Sequence, residues 1–166
     1  MGNSLLAVRV INHKYIVVGG IKMGKVVAVC SSEKKGTRKT DIGGCEVIEN
    51  FGLKGDAHGG TWHRQVSLLS YEKIEEFRKR GAQVEFGDFG ENLVVDGYDF
   101  RTLPIGSRFQ CNDVILELTQ IGKECHHGCA IYQAMGDCIM PREGVFCKVL
   151  QGGHIRKGDT FSLVEE

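Results

Sequence analysis

Arg108-Phe109-Gln110-Cys111-Asn112-Asp113-Val114-Ile115-Leu116-Glu117-Leu118-Thr119 decides the fold class. Two short runs of apolar and β-forming residues flank Asn112-Asp113, the signature of a tight β-hairpin. The same texture recurs on both sides. Upstream, Val26 to Cys30 is a short β-branched run and reads as a buried strand. Cys45 to Ile48, Val66 to Leu69 and Asn92 to Val95 read as further strands. Downstream, Gly144 to Leu150 and Thr160 to Val164 close the chain as strands, with Gly152-Gly153 and Lys157-Gly158-Asp159 as turns. Ser31 to Gly43 is polar and charged and reads as a surface loop.

One clear helix interrupts this series. Ser70 can cap its first free N–H groups, Glu72 suits its first turn, and Leu69 and Ile74 form a staple pair. Tyr71, Ile74 and Phe77 share one face, and Gly81 ends the helix. Cys129 to Met135 reads as a second short helix stopped by Gly136. Many short strands, 23 glycines, only 2 prolines and one or two helices predict a mainly β (α+β) fold, a single barrel. A length of 166 residues and 42% hydrophobic content suit one domain with a real core.

Charge and cysteine content narrow the function classes. Lys and Arg number 21, as do Asp and Glu, so no bulk excess of cations exists to bind a nucleic acid. Seven cysteines cannot all pair within one chain, and a chain of this length folds without staples. The thiols are read as reduced and the compartment as cytoplasmic. No apolar run reaches the length of a membrane span. Residues 1 to 22 are read as an N-terminal extension, either an extra strand or a poorly ordered lead-in, with 23 to 166 as the domain.

The densest chemistry lies in Lys123-Glu124-Cys125-His126-His127-Gly128-Cys129, with Cys138 close behind. Three readings compete. Cations at Lys123 and His126 can favour the thiolate of Cys125, which then carries sulfur as a persulfide or binds a soft metal. Cys-x3-Cys also falls within zinc-ligand spacing, although a second ligand pair is not obvious. The third reading is packing, the default for Cys30, Cys45, Cys111 and Cys147 in strand-like runs. Three other segments offer ligand-binding groups. Lys54-Gly55-Asp56-Ala57-His58, with Arg64 nearby, suits an oxyanion or stands as a solvated turn. Gly90-Glu91-Asn92 places an amide where it can read a heterocycle edge or simply forms a bulge. Arg142 offers a planar fork for phosphate or a surface ion pair with Glu143. No phosphate-loop, dinucleotide or serine-elbow motif is present.

Together these segments resemble the MOSC domain, named for the C-terminal part of molybdenum cofactor sulfurases. The resemblance is carried by Gly52 to His58, Arg64 to Leu69, Phe89 to Leu93, Leu103 to Gly106, Thr119 to His126, Arg142 to Phe146 and Gly152 to Asp159. It spans about residues 23 to 164. It implies a β-barrel of the kind seen in the pyruvate kinase barrel domain, and a role with the molybdenum cofactor, a pterin dithiolene with a phosphate tail. By resemblance, Cys125 is the sulfur carrier or molybdenum ligand, with Cys129 as fallback and Lys123 and His126 tuning it. Lys54, Gly55, Asp56, His58, Arg64 and Arg142 are expected around the anionic tail, and Gly90, Glu91 and Asn92 around the pterin. Pyridoxal phosphate belongs to a separate domain of full sulfurases and is not expected here. The implied work is sulfur transfer to the cofactor, or its carriage and delivery, with a sulfur donor or molybdoenzyme as partner. The rival readings are a reductase of N-hydroxylated compounds fed by an electron-donor partner, and a zinc-stabilised binding module without catalysis. Whether the chain is an enzyme stays open between them.

Overall fold

A computed structural model describes residues 16–18, 21–125 and 129–164. In chain order the strands are β1 (Ile16–Val18), β2 (Ile21–Ser31), β3 (Thr40–Asp41), β4 (Gly44–Ile48), β5 (Gly52–Leu53) and β6 (Val66–Ser70). After α1 (Tyr71–Lys79) come β7 (Leu93–Asp96), β8 (Arg108–Cys111) and β9 (Val114–Ile121). The short helices α2 (Ala130–Met135) and α3 (Met140–Glu143) precede β10 (Val145–Gln151), β11 (Gly153–Arg156) and β12 (Thr160–Val164).

The strand order β2-β12-β8-β9-β10-β6-β7 closes on itself through β2–β7 pairing, giving the barrel that the strand pattern predicts. Closure removes both sheet edges. The hairpin at Asn112-Asp113 forms as expected, with Cys111 opposite Val114 and Asn112 at φ 54°. β6 and β7 run parallel, whereas the other barrel pairs are antiparallel. A parallel pair needs a crossover, and α1 is that crossover. In the described part of the N-terminal extension, β1 pairs with the start of β2. β4, β5 and β11 form a separate three-stranded sheet.

Side-chain alternation divides the apolar residues into two cores. Val66, Leu68, Val145, Cys147 and Val149 point into the barrel, with Tyr98, Phe100, Phe109 and Phe161 packed among them. Phe109 and Phe161 lie 5.1 Å apart, and Tyr98 donates its hydroxyl to the Phe161 carbonyl at 3.0 Å. Leu69, Val94 and Phe146 face outward and form a second core with Ile74 and Phe77 of α1 and with Cys138, Ile139 and Met140. β2 serves both cores: a register shift between Val26 and Ala28 turns Val26 and Val29 inward and Ala28 and Cys30 outward.

Some local expectations change. Ser70 does sit at the helix N-cap, but it makes no capping bond and instead donates to Glu72 Oε2 at 2.9 Å. Met140 to Glu143 form one turn of helix, and the Gly-rich segment read as turns carries a strand, β11. The loop from Ser31 to Gly43 is not wholly at the surface: Lys39 is buried and β3 lies within it. No helix among the described residues is long and apolar enough to cross a membrane.

Candidate functional site

A cleft of about 730 Å³ opens where the outer core meets the ends of β6, β7 and β9. Its walls come from four stretches distant in sequence: 36–38, 58–67, 88–92 and a last one contributing 120–124 and 129–131, with Met140 and Phe146 behind them.

The 58–67 wall is built on Asp56. This buried carboxylate accepts from Ser31 Oγ at 3.2 Å, Ser32 N at 3.1 Å, His58 N at 3.2 Å and Lys39 Nζ at 2.7 Å. Burial raises its pKa, but the Lys39 bond and charge outweigh that and hold it below the usual carboxylate value. Asp56 is thus a loop organiser, and its neighbour His58 reaches the cleft. Trp62 is tied back by donating to the His58 carbonyl at 2.9 Å. Thr119 Oγ1 donates to the His63 carbonyl, and His63 Nε2 meets Gln120 Oε1 at 2.7 Å, so β9 fixes the far end of this loop.

Arg64 is the product of that fixing. Its guanidinium carbon lies 4.6 Å from the Trp62 ring centroid and 5.3 Å from that of Phe146. These two faces hold a cation at the cleft wall. Its Nε is buried and has no hydrogen-bond partner.

The 88–92 wall is held from inside by Glu91. Its carboxylate has no exposed surface and accepts from the backbone N–H of Gly87 and, at 3.1 Å, of Phe89. Burial pushes this carboxyl up to about 7, against the pull of those N–H groups. Asn92 is spent in the same way. Its Oδ1 accepts from Ser67 N and Oγ at 3.0 and 3.1 Å, and its Nδ2 donates to the Cys30 carbonyl at 3.1 Å.

The thiols adjoin this wall, sharing a crevice with Asp88 and Phe89. Cys129 is exposed and lines the cleft with Lys123 and Glu124; its sulfur accepts from Tyr132 N at 3.4 Å. Cys125 is half-buried and lines a crevice of about 160 Å³ shared with Cys129, Cys138 and Lys123. Burial raises the Cys138 thiol, with smaller contributions from Cys129 and Cys125. His126 and His127 lie outside the described residues. Among the described residues, no three His, Cys, Asp or Glu side chains form a group set to hold a metal ion. Cys30, Cys111 and Cys147 are buried, and burial raises their pKa values, that of Cys111 to about 12. That environment suits the packing role read for them.

The predicted site residues therefore separate. His58, Arg64, Gly90, Asn92, Lys123 and Cys129 line the cleft, and Cys125 lines its neighbour. Lys54 and Gly55 line a different, open groove, where Lys54 pairs with Glu46 at 3.2 Å. Arg142 pairs with Asp137 at 2.6 Å rather than with Glu143, which takes Arg101 instead. Trp62, Phe146, Gln120, Arg38 and buried Lys39 were missed. The one signal for Lys39 was its place among the cations of a loop read as solvated.

A family model described as the MOSC domain matches residues 54–162. No curated protein matches the sequence. Among solved structures, the YuaD protein from Bacillus subtilis aligns with a TM-score of 0.71 at 20% identity, over 86% of this chain and 96% of that one. YiiM from Geobacillus stearothermophilus aligns with a TM-score of 0.67 at 20% identity, over 86% of this chain and 75% of that one. YiiM from Escherichia coli gives 0.59 at 18% identity, over 86% and 70%. At these identities the likeness is one of fold.

Proposed function

The chain belongs to the MOSC domain family, and from that premise we propose that it binds the molybdenum cofactor in the 730 Å³ cleft and carries sulfur on a thiol there. The observation that carries this reading is Arg64, a cation clamped between two aromatic rings with a buried Nε lacking an acceptor. A buried donor without a partner is costly, and an oxyanion of the ligand relieves that cost.

The residues present fit the group. Arg64 and Lys123 meet an anionic tail, Trp62 and Phe146 offer apolar faces to a pterin, and Cys129 supplies a soft donor. Lys54 and Arg142, paired elsewhere, have no part in it. The bound cofactor supplies a metal centre able to exchange sulfur ligands. For its own part, the Cys129 thiolate attacks the outer sulfur of a donor persulfide. A new S–S bond forms on Cys129, the donor's S–S bond breaks, and the donor leaves as a thiolate. No external oxidant is consumed. Cys125, in the adjoining crevice, exchanges that sulfur with Cys129 by the same reaction.

Purified protein is incubated with molybdenum cofactor and desalted, and retained molybdenum and pterin are measured. Arg64→Ala should weaken retention by about tenfold or more, the value of one charge-assisted bond. Incubation with a low-molecular-weight persulfide should add one sulfur to the intact mass, and the Cys125→Ser/Cys129→Ser pair should abolish the increment. Wild-type protein that retains neither molybdenum nor pterin, and instead holds stoichiometric zinc, overturns the reading in favour of a binding module.

A further inference from the structure

Lys39 is a buried lysine whose ammonium is surrounded by acceptors. Its Nζ lies 2.7 Å from Asp56 Oδ1, 2.9 Å from His58 Nδ1 and 3.4 Å from Ser32 Oγ. The Lys39 side chain is 1% exposed and that of Asp56 0%. Three ammonium hydrogens therefore meet three acceptors, one of which is an imidazole nitrogen.

An ammonium group only donates. The nitrogen facing it at 2.9 Å must present its lone pair. Asp56 holds Lys39 in the charged form, because a neutral amine would leave a buried carboxylate uncompensated. His58 therefore carries its proton on Nε2, the nitrogen away from Lys39, and its ring lines the cleft. Among the described residues no group bonds Nε2.

From this geometry we infer that Lys39 is a positioning residue that locks His58 as the neutral Nε2–H tautomer, so that the imidazole offers the cleft an uncharged hydrogen-bond donor. The matching ligand group is an acceptor, an oxyanion oxygen or a thiolate-type sulfur. What His58 meets rests on the cofactor-site reading above; the lock itself rests only on this chain.

The surrounding charges agree with it. Burial and the Lys39 charge lower the pKa of His58, Lys35 and Lys123 add to that, and Asp56 alone opposes them. Asp56 is already committed to Lys39, Ser31, Ser32 and the His58 backbone N–H. The cleft's Arg and Lys cations are then Arg38, Arg64 and Lys123, and His58 adds none near neutral pH.

The test is multiple-bond 15N–1H NMR of the ligand-free protein. His58 should show the Nε2–H neutral tautomer at pH 7.5 and keep it well below about 6.5, where an ordinary histidine is half protonated. An Nδ1–H tautomer, or an ordinary titration, overturns the lock whatever any variant does. Lys39→Met/Asp56→Asn removes both buried charges together, so neither is left unpaired. In that variant His58 should take up its proton at a higher pH than in wild type, with burial still opposing the charged form. Sulfate, whose charge is constant in this range, is the probe for the cleft. The affinity of the variant relative to wild type should rise about fivefold or more between pH 7.5 and pH 5.5, as His58 gains charge. An unchanged ratio overturns the role of the lock in the cleft. Molybdenum retention is measured on the same wild-type sample. Loss of retention with the tautomer intact sinks the cofactor reading and leaves the lock standing.

Discussion

Glu91 is a carboxylate with no exposed surface and no cation bonded to it; two backbone N–H groups of the turn before it are its partners. Burial raises its pKa to about 7, above the unfolded value of about 4.3. The folded state then binds one more proton than the unfolded state between those pH values. The group's contribution to stability is full below about 4.3 and is lost as pH rises through about 7. The loss amounts to about 4 kcal/mol, at about 1.4 kcal/mol per pH unit. Glu91→Gln should flatten that limb in urea unfolding measured from pH 5 to pH 8. Part of the slope will remain, because Asp96 is also raised to about 7, by burial and by the Glu72 carboxylate beside it. Asn92, which lines the cleft, also has its amide engaged inward. Its oxygen accepts from Ser67 and its nitrogen donates to the Cys30 carbonyl. Residue type named both as polar groups at a strand start; which way they face is set by packing.

Among elements, the turn at 87–90 does most to shape the cleft. Gly87 has φ +95°, and a Cβ there would sit 2.1 Å from the Lys39 carbonyl oxygen. Its own carbonyl accepts from Lys39 N at 3.1 Å, and its N–H serves Glu91. Gly87→Ala should therefore destabilise the fold by about 1–3 kcal/mol, read as a lowered urea midpoint. It should also disturb the His58 tautomer, because the displaced segment carries Lys39. Helix α1 shows how far local signals reach. Its face of Ile74 and Phe77 is buried as its periodicity predicts, and Gly81 follows its end at φ +101°. Its cap chemistry differs: the Ser70 hydroxyl donates to Glu72 Oε2, two residues on, and accepts no N–H of the first turn.

In the whole molecule, the closed barrel is the scaffold that brings four separate segments to one cleft. Its interior is dominated by stacked and edge-on aromatics, and Phe161 touches three of them. Phe161→Ala should cost about 3–5 kcal/mol, measured by chemical denaturation. Ile105→Ala, at a side chain 59% exposed, should change stability by less than about 0.5 kcal/mol and serves as the control. β2 precedes the segment matched by the family model, yet its pairing with β7 and β12 completes the barrel. A chain trimmed to residue 54 would lack that closure.

Local pattern determined a good deal by itself. Alternating apolar runs, the Asn112-Asp113 turn and the capped helix depend on neighbours within a few residues, so the main strands, the hairpin and the barrel class were legible in the chain. So was the cysteine cluster, because its residues are adjacent. The tertiary structure alone decided which polar groups reach the cleft. His58, Arg64 and Cys129 open onto the cleft, whereas Asp56, Glu91 and Asn92 are consumed in holding it open. Lys54 and Arg142 are drawn off by Glu46 and Asp137. Lys39, whose neighbours all suggested a solvated loop, is buried because Asp56, seventeen residues on, supplies its countercharge. Burial, and with it hydrogen-bond partner and protonation state, depends on contacts between distant segments, and no window of sequence contains those contacts.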